Sequence, residues 1–238
     1  MQIEVIGTAQ QCNTVDFKGK TAIVIDVLRA TSVIATALHL GAKAIIPAIS
    51  IEEAQTIYKG LAPETAYLCG ERNATIIPGF HFGNSPLAFS PEVVHNKTLV
   101  LTTTNGTLAL RNTLEASQTI TASFLNVSAV AELISRQTND LVIVCAGTAG
   151  KFSLDDALCA GMLISLINNK QKMQTDDLGR LVLQFFDADI GNINDKLAQC
   201  SHVKTLQGKG FQPDIDFCLQ TDMFPVVPVL KENRLIKA

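Results

Sequence analysis

A short apolar strand that ends in charged and hydroxyl residues constrains this chain more than any other feature. Residues 22–28 are apolar except for Asp26, which is typical of a strand buried on both faces of a parallel sheet. An apolar repeat with helical spacing follows at 33–38, and Gly41 stands where a helix would end. In open α/β sheets, ligands bind where a strand ends and a helix begins, and the positive helix end favours an anion. We therefore expect an α/β fold with an anion site at this junction.

The composition indicates a reduced, cytoplasmic protein with a large core. Hydrophobic residues make up 47% of the 238 residues and charged residues 17%, so we expect little disorder. We find no apolar run long enough to cross a membrane and no signal peptide. A net charge of −3 without a basic stripe argues against nucleic acid as a partner. The six cysteines include no C-x-x-C pair, so we expect free thiols rather than disulfides or a zinc site.

Predicted strands and helices alternate along the chain, which favours a layered αβα architecture with a mostly parallel sheet. No Ser/Gly-rich linker divides the chain, so we expect one domain over residues 1–238. The predicted strands are 2–6, 22–28, 44–47, 67–69, 98–104 and 141–145, with a closing edge strand at 226–229. The predicted helices are one that ends near Gly41, one that begins at a Ser50–Glu53 capping box, and 108–114, 155–168, 175–186 and 193–207.

The pattern of the first strand–helix unit recurs 76 positions later without a gap. With this shift, the polar residues at 26–31 fall on those at 102–107. Few residues are identical, so both a duplication and the simple regularity of βα units explain the match. We expect two pattern-related halves, with 1–115 and 116–238 as possible sub-halves.

Polar side chains follow four of the predicted strands, at 26–32, 70–72, 102–107 and 147–156. Because the carboxyl ends of parallel strands meet at one edge of a sheet, we expect these side chains to share one site. Carboxylates beside arginines, without a His/Cys cluster, favour Mg²⁺ that shares its oxygen ligands with a phosphate group. Such a site would perform phosphoryl transfer by positioning and charge neutralisation. The candidate residues are Asp26, Arg29, Thr31, Ser32, Glu71, Arg72, Thr103, Asn105, Gly106, Thr107, Ser153, Asp155 and Asp156.

Some of these residues have equally simple structural explanations. A carboxylate inside an apolar run is costly to bury unless it has a partner, so the position of Asp26 indicates a functional role. Asp155 and Asp156, by contrast, are explained equally well as first-turn residues of a helix. Glu71 and Arg72 would otherwise form an ion pair on the surface.

Other catalytic arrangements are disfavoured. No G-x-S-x-G elbow is present, and the residues after Asp26 lack the second aspartate of haloacid-dehalogenase phosphatases. Gly147 and Gly150 are too sparse for a P-loop. His81 and His202 lie in polar surroundings without partner spacing, so neither is included among the catalytic candidates.

Five blocks of residues, in order along nearly the whole chain, match the motifs of one known family. They are Asp-Val-Leu-Arg-Ala-Thr-Ser at 26–32, Gly-Glu-Arg at 70–72, Gly-Asn-Ser-Pro at 83–86, Thr-Thr-Thr-Asn-Gly-Thr at 102–107, and Cys-Ala-Gly at 145–147 followed by Phe-Ser-Leu-Asp-Asp at 152–156. A weaker match includes His202 and Asp214. The blocks resemble the 2-phosphosulfolactate phosphatases, the ComB family of Mg²⁺-dependent phosphatases. This chain departs from the family at His81 and Val203, and it has Asp155 where the family usually has Glu.

The resemblance implies Mg²⁺-dependent hydrolysis of a small anionic phosphate ester, (2R)-phospho-3-sulfolactate, to 3-sulfolactate and phosphate, as in coenzyme M biosynthesis. The implied catalytic residues are Asp26, Arg29, Glu71 and Asp155, and the implied metal ligands are Asp26, Glu71, Asp155 and Asp156. The implied substrate-binding residues are Thr31, Ser32, Arg72, Asn84, Ser85, Thr103, Asn105, Gly106 and Ser153.

Two other functions stay open at the level of sequence. One is a phosphatase for another phosphorylated 2-hydroxy acid, such as phosphoglycolate. The other is a phosphate-binding module without catalysis, although carboxylates repel an anion unless a cation intervenes. The sequence also leaves open whether Asp26 or a water attacks phosphorus. Apolar helix faces favour a homodimer.

Overall fold

In a computed structural model that describes residues 1–188 and 192–238, eleven strands form one continuous sheet. The strands are β1 (Gln2–Ile6), β2 (Thr21–Ile25), β3 (Ala44–Pro47), β4 (Ala66–Arg72), β5 (Thr75–Ile76), β6 (Thr98–Thr102), β7 (Gln118–Ala122), β8 (Leu141–Cys145), β9 (Gln174–Thr175), β10 (Pro228–Lys231) and β11 (Arg234–Lys237). The helices are α1 (Ala30–His39), α2 (Ile51–Lys59), α3 (Pro91–Val94), α4 (Gly106–Asn112), α5 (Val127–Ile134), α6 (Leu154–Asn168), α7 (Asp177–Asp187), α8 (Ile193–Leu197), α9 (Ser201–Gly208) and α10 (Gln212–Cys218). Short 3₁₀ helices span Ala9–Thr14, Pro86–Ala88 and Phe124–Asn126.

Strand β2 is buried on both faces, as its apolar sequence predicts. Ile23 and Ile25 belong to a core cluster that includes residues of α5 and α6. Ala22 and Val24 belong to a second cluster, which includes residues of α1 and α4. Because side chains alternate across a strand, helices cover both faces of the sheet. The predicted layered αβα fold with a mostly parallel sheet is therefore confirmed.

Most of the strands fall into two parallel groups that are joined by a hairpin, and β5 pairs antiparallel with β4 at one edge. Strands β3, β6 and β4 are parallel to one another, and so are β7, β2, β8, β1 and β9. The antiparallel hairpin β10–β11 lies between the groups, and it pairs antiparallel with β7 on one side and β3 on the other. The prediction of an edge strand at 226–229 is therefore wrong. A proline favours an edge, but Pro228 is the first residue of β10, where a central strand also accepts it.

The order of the elements shows how the two halves are related. Ala30 begins α1 and Gly106 begins α4, and Ile51 begins α2 and Val127 begins α5; the members of each pair are 76 positions apart. The first repeated unit contains β2 and β3, and the second contains β6 and β7. Strand β2 pairs with β7, and β6 pairs with β3, so each strand pairs with a strand of the other unit. The two repeated units, β2 to α2 and β6 to α5, thus interlock in one sheet, and the second unit crosses the boundary at 115/116 that the sequence suggested for two sub-halves.

The carboxyl ends of β2 and β6 meet, although their groups run in opposite directions along the sheet. Three successive antiparallel pairings separate the groups. Neighbouring strands in β-sheets are typically rotated by about 20–25°, and such a twist allows the ends of opposed groups to approach each other. A Cβ atom at Gly106 would lie 2.6 Å from both Asp26 Oδ2 and Ala30 Cβ. Two ends of a twisted sheet therefore face each other, where the sequence predicted one shared edge.

The C-terminal region differs from its prediction. The predicted helix 193–207 is divided into α8 and α9, and α10 follows without having been predicted. Pro213 stands in the first turn of α10, where the fixed φ of proline favours a helix start. Among the residues that the structure describes, no helix has both the length and the apolar character needed to cross a membrane.

Candidate active site

A cavity of about 220 Å³ lies between the carboxyl ends of the two parallel groups and helix α9. Residues from all four predicted strand-to-helix junctions line it or lie directly behind its wall. The lining residues are Asp26, Leu28 and Arg29 after β2; Glu71, Asn73 and Ala74 around the β4–β5 turn; Asn84; Thr103, Thr104 and Asn105 after β6; Thr148 and Ala149 after β8; and His202, Thr205, Leu206 and Lys209 on and after α9.

Asp26 holds the start of helix α1. Its Oδ1 accepts the N–H of Ala30 at 3.2 Å, and its carbonyl oxygen accepts the N–H and the hydroxyl of Thr31 at 2.9 and 2.8 Å. Asp26 is only 7% exposed. Burial raises the pKa of its carboxyl to about 6, and the charges of Asp155 and Glu71 add to the rise. The helix that follows the strand thus donates one hydrogen bond to this buried carboxylate.

The hydroxyls of Thr31 and Ser32, which were predicted to bind phosphate, form hydrogen bonds within the β2–α1 turn. Thr31 Oγ1 donates to the carbonyl oxygen of Asp26, and Ser32 Oγ donates to that of Val27, each at 2.8 Å. Both residues are buried, and neither lines the cavity. They close the β2–α1 turn and do not face a ligand.

The β6–α4 junction lies against Asp26. Thr103 and Asn105 line the cavity, and Thr103 is fixed by reciprocal N–H to hydroxyl hydrogen bonds with Thr107 at 3.2 Å. Gly106 lies behind them, where a Cβ atom would overlap Asp26 Oδ2. Gly106 therefore provides space for the two junctions to touch, whereas Thr103 and Asn105 face the cavity.

Glu71 joins the β4–β5 turn to the β6–α4 junction. Its Oε1 accepts the N–H and the hydroxyl of Thr104, both at 2.9 Å, and its Oε2 accepts the N–H of Ala74 at 2.7 Å. Arg72 donates to the carbonyl oxygen of Glu71 at 2.7 Å and to Thr102 Oγ1 at 3.0 Å, and it does not line the cavity. Glu71 is therefore part of the cavity wall, and Arg72 ties the ends of β4 and β6 together.

Arg29 brings a buried positive charge to the cavity. Its guanidinium forms an ion pair with Asp214 and donates to the carbonyl oxygen of Ala74 at 3.2 Å. The same group lies over the ring of Phe211, with Cζ 4.1 Å from the ring centroid. Ser85, which was predicted to bind substrate, instead donates its hydroxyl to Asp214 at 2.8 Å.

His202 enters the cavity from α9 and is held through its Nδ1. This atom lies 3.0 Å from Thr148 Oγ1 and 3.5 Å from Asp155 Oδ2. Ser153 Oγ lies 3.0 Å from Thr148 Oγ1 and donates to Asp155 Oδ1. Burial alone would lower the pKa of His202, but the nearby Asp155 carboxylate raises it above its ordinary value. Asp155 and Ser153 thus lie behind His202 and not in the cavity wall.

Asp156 connects the loops that follow β2 and β8. Its two oxygens accept the backbone N–H groups of Val27 at 2.8 Å and Gly147 at 2.9 Å. Burial, with the charges of Asp155 and Asp26, raises the pKa of Asp156 well above its ordinary value. Asp156 was predicted as a metal ligand, but it does not line the cavity.

The cavity suits a hard cation that takes part of its ligands from a substrate. Within the described parts of the chain, no group of three or more His, Cys, Asp and Glu side chains lies close enough together to hold an ion. Of the predicted ligands, Asp26 and Glu71 line the cavity, whereas Asp155 and Asp156 do not. The buried Oδ1 of Asn84, also in the wall, has no donor among the residues described. Mg²⁺ commonly uses one or two carboxylates with substrate phosphate and water, and this donor set fits that arrangement.

The C-terminal helices supply functional residues that the strand-end argument missed. His202 and Lys209 line the cavity, and Asp214 pairs with Arg29. His202 and Asp214 belong to the weaker block of the family resemblance, which was the available signal for them. Nothing in the local sequence of Lys209 indicates its position.

The fold and the cavity define a layered α/β protein with carboxylate, arginine and histidine side chains gathered at its strand ends. The chain belongs to the 2-phosphosulpholactate phosphatase family, whose model matches residues 6–233. A protein of Caldanaerobacter subterraneus subsp. tengcongensis, named "Probable 2-phosphosulfolactate phosphatase", is 44% identical over 233 residues, which cover 98% of this chain and 97% of that protein. A protein of the same name from Thermotoga petrophila is 43% identical, over 91% of this chain and 92% of that protein. Another from Clostridium kluyveri is 38% identical, over 99% of this chain and 100% of that protein. The resemblance drawn from the sequence motifs is therefore confirmed.

Replacing Asp156 with Asn tests its role as a connection between the two loops. Asn keeps the shape of the side chain but turns one accepting oxygen into a donor that faces a backbone N–H. We expect the free energy of unfolding, measured by urea denaturation, to fall by about 2 kcal/mol because a buried N–H loses its acceptor. The matched control is Asp177→Asn in the exposed first turn of α7, for which we expect a loss of about 0.5 kcal/mol or less. Equal losses in the two variants would contradict the connecting role.

Proposed function

We propose that this protein hydrolyses (2R)-phospho-3-sulfolactate to 3-sulfolactate and phosphate in a Mg²⁺-dependent reaction of the type used in coenzyme M biosynthesis. Family membership and the names of the relatives support this reaction. The observation that carries the proposal is the meeting of Asp26, Arg29, Glu71 and His202 on one cavity of about 220 Å³. The cytoplasmic location and the homodimer expected from the sequence stay predictions.

The charges around the cavity support a requirement for a cation. Asp26 and Glu71 contribute negative charges to the wall, and Arg29 and Lys209 contribute positive ones. Arg29 is already paired with Asp214. The two wall carboxylates match the charges of Arg29 and Lys209, so a substrate that carries phosphate, carboxylate and sulfonate groups meets no net positive charge from these four residues. Carboxylates in such a site repel an anion unless a cation intervenes.

The cavity residues suited to hold Mg²⁺ are Asp26, Glu71 and Asn84. Asp26 and Glu71 offer carboxylate oxygens, and Asn84 offers the buried amide oxygen that lacks a donor among the residues described. When bound, the ion would neutralise charge on the phosphate group and on the attacking oxygen. Three hydrogen bonds fix the Glu71 carboxylate, so its position is set before a ligand arrives.

Arg29 binds the phosphate group in this proposal. A guanidinium matches two phosphate oxygens with parallel N–H groups, and burial strengthens such a contact because water competes less. Arg29 is buried, and contacts with Asp214, Ala74 and Phe211 hold it in place. It therefore offers a preorganised charge that needs no rearrangement during the reaction.

His202 holds a proton at Nε2 for the oxygen that leaves phosphorus. Its Nδ1 is engaged with Thr148 and Asp155, so Nε2 is the ring nitrogen left for the cavity. Ser153 fixes the Asp155 carboxylate that stabilises the charged ring. General acid catalysis of this kind assists the departure of a poor leaving group such as an alkoxide. In this arrangement Asp155 serves His202 and not the metal ion.

Removal of the metal and substitution of two cavity residues test the proposal. Phosphate release from 2-phosphosulfolactate should stop in EDTA and return when excess Mg²⁺ is added. Asp26→Asn and Arg29→Ala should each lower kcat/KM about a hundredfold, the size expected for loss of one preorganised electrostatic group. Asp177→Asn should keep the wild-type rate. Full release in EDTA would contradict the role of the ion, and wild-type rates in both cavity variants would contradict the site.

A second candidate is a phosphatase for another phosphorylated 2-hydroxy acid, such as phosphoglycolate. The observation that favours it is the chemistry of the cationic groups on the cavity wall. Arg29, Lys209 and His202 interact with any anion, and none of these side chains distinguishes a sulfonate from a carboxylate by its donors alone. The proposed reaction and this alternative therefore differ in substrate and share a mechanism.

A panel of substrates separates the two candidates. We expect kcat/KM for 2-phosphosulfolactate to exceed that for 2-phospholactate, which lacks the sulfonate, and for phosphoglycolate by at least about tenfold, because one charged contact is lost. Release of phosphate from each compound is the measurement. Equal values would favour the second candidate. Binding of all three without any release would indicate a module that binds phosphate without catalysis.

A further inference from the structure

The ion pair between Arg29 and Asp214 joins the cavity wall to helix α10. Asp214 lies in the first turn of α10, and the two residues are 185 positions apart in the sequence. The exposed fractions of the side chains are 3% for Arg29 and 7% for Asp214. Asp214 does not line the cavity, so the proposed reaction does not bring it into contact with the substrate.

Asp214 is itself held from a second side. One of its oxygens pairs with the guanidinium, and the other accepts the hydroxyl of Ser85 at 2.8 Å. Phe211, directly before α10, lies under the guanidinium, with its ring centroid 4.1 Å from Cζ. Phe211 therefore fixes one face of the guanidinium, while Asp214 and the carbonyl oxygen of Ala74 fix N–H groups at its edge.

These contacts leave part of the guanidinium for a ligand. A guanidinium has five N–H donors. Asp214 takes one of them, and the carbonyl oxygen of Ala74 takes another at 3.2 Å. Arg29 also lines the cavity, and no acceptor for its other N–H donors is present among the described residues. The direction of those donors is set by the contacts on the opposite side of the group.

Stability alone does not account for an ion pair at this place. Removing two charges from water costs about as much as their attraction returns, so a buried ion pair is often no more stabilising than apolar residues of the same size. An arginine side chain is long and flexible, however, and a buried carboxylate selects one of its orientations. The ion pair at the cavity wall is therefore better explained by the orientation of the Arg29 guanidinium than by the stability of the fold.

We propose that Asp214, supported by Ser85, is a positioning residue that fixes the Arg29 guanidinium in the orientation that binds the phosphate group. The proposal rests on the proposed function, in which Arg29 contacts phosphate. It gives Ser85 a role in orientation in place of the substrate contact expected from the sequence. It also makes the docking of α10 a condition for a complete phosphate site.

The test compares Asp214→Asn, Arg29→Ala and the double variant in the full chain with Mg²⁺ present. Asn keeps the volume of the side chain and still accepts the Ser85 hydroxyl, but it has no charge to hold the guanidinium. In Asp214→Asn, KM for 2-phosphosulfolactate and the inhibition constant for inorganic phosphate should both rise about tenfold, the effect of one charge-assisted hydrogen bond. Asp214→Glu should recover part of this loss. In the Arg29→Ala background, Asp214→Asn should add nothing, because Asp214 acts through Arg29.

The matched control is Asp216→Asn on the same helix. Asp216 is exposed and accepts the side-chain amide of Gln212 at 2.6 Å, so both constants should stay unchanged. A lower kcat and Tm in Asp214→Asn, with unchanged KM and phosphate inhibition, would overturn the proposal and indicate a structural role. A full effect of Asp214→Asn in the Arg29→Ala background would also overturn it. Unchanged phosphate inhibition in Arg29→Ala alone would instead overturn the placement of phosphate on Arg29, on which this proposal rests, whereas the absence of phosphate release by the wild-type protein would overturn the proposed function.

Discussion

The buried carboxylate of Asp26 is the constraint on which the rest of the site depends. A charge at the end of a strand covered on both faces needs a hydrogen-bond donor, and the first turn of α1 provides the N–H of Ala30. The hydroxyls of Thr31 and Ser32 close the same turn from within. The protein's own groups thus occupy the helix start that the sequence suggested for phosphate. An anionic ligand is left with the cavity side of the junction, where Arg29 is held.

The arrangement of the two parallel groups in one sheet explains why acidic groups from distant segments meet. Asp26 follows a strand of one parallel group, and Glu71 ends a strand of the other. Gly106 allows the two groups to touch, because any side chain there would collide with the Asp26 carboxylate. The helices after residue 192 then close the third side of the cavity with His202 and provide Asp214 for Arg29. The site is therefore a property of the whole assembled fold.

The site residues at strand ends were predictable from the sequence. A charged residue inside an apolar run, such as Asp26, is costly to bury, and a role in a site is the simplest explanation for it. Glu71 was predicted from its place just after the predicted strand 67–69. The roles of hydroxyl residues were not predictable, since Thr31 has the same sequence signal whether it closes a turn or faces a ligand. The pairing of the strands was also not predictable from the sequence. The hairpin β10–β11 lies between the parallel groups because of contacts between residues that are far apart in the chain, which local patterns do not encode. His202 and Asp214 reach the cavity by the docking of helices, which local periodicity does not encode, and only the family motifs pointed to them.

The central claim is that these side chains form one phosphate site that is completed by a magnesium ion. Calorimetric titration of inorganic phosphate into the wild-type protein, with Mg²⁺ and with EDTA, tests this claim most directly. Because ion and phosphate share one site, phosphate should bind at least about tenfold more tightly with Mg²⁺, a coupling of ordinary size for two linked ligands. This dependence on Mg²⁺ should disappear when Asp26 is replaced with Asn. Equal phosphate affinities with and without Mg²⁺ in the wild-type protein would contradict the account.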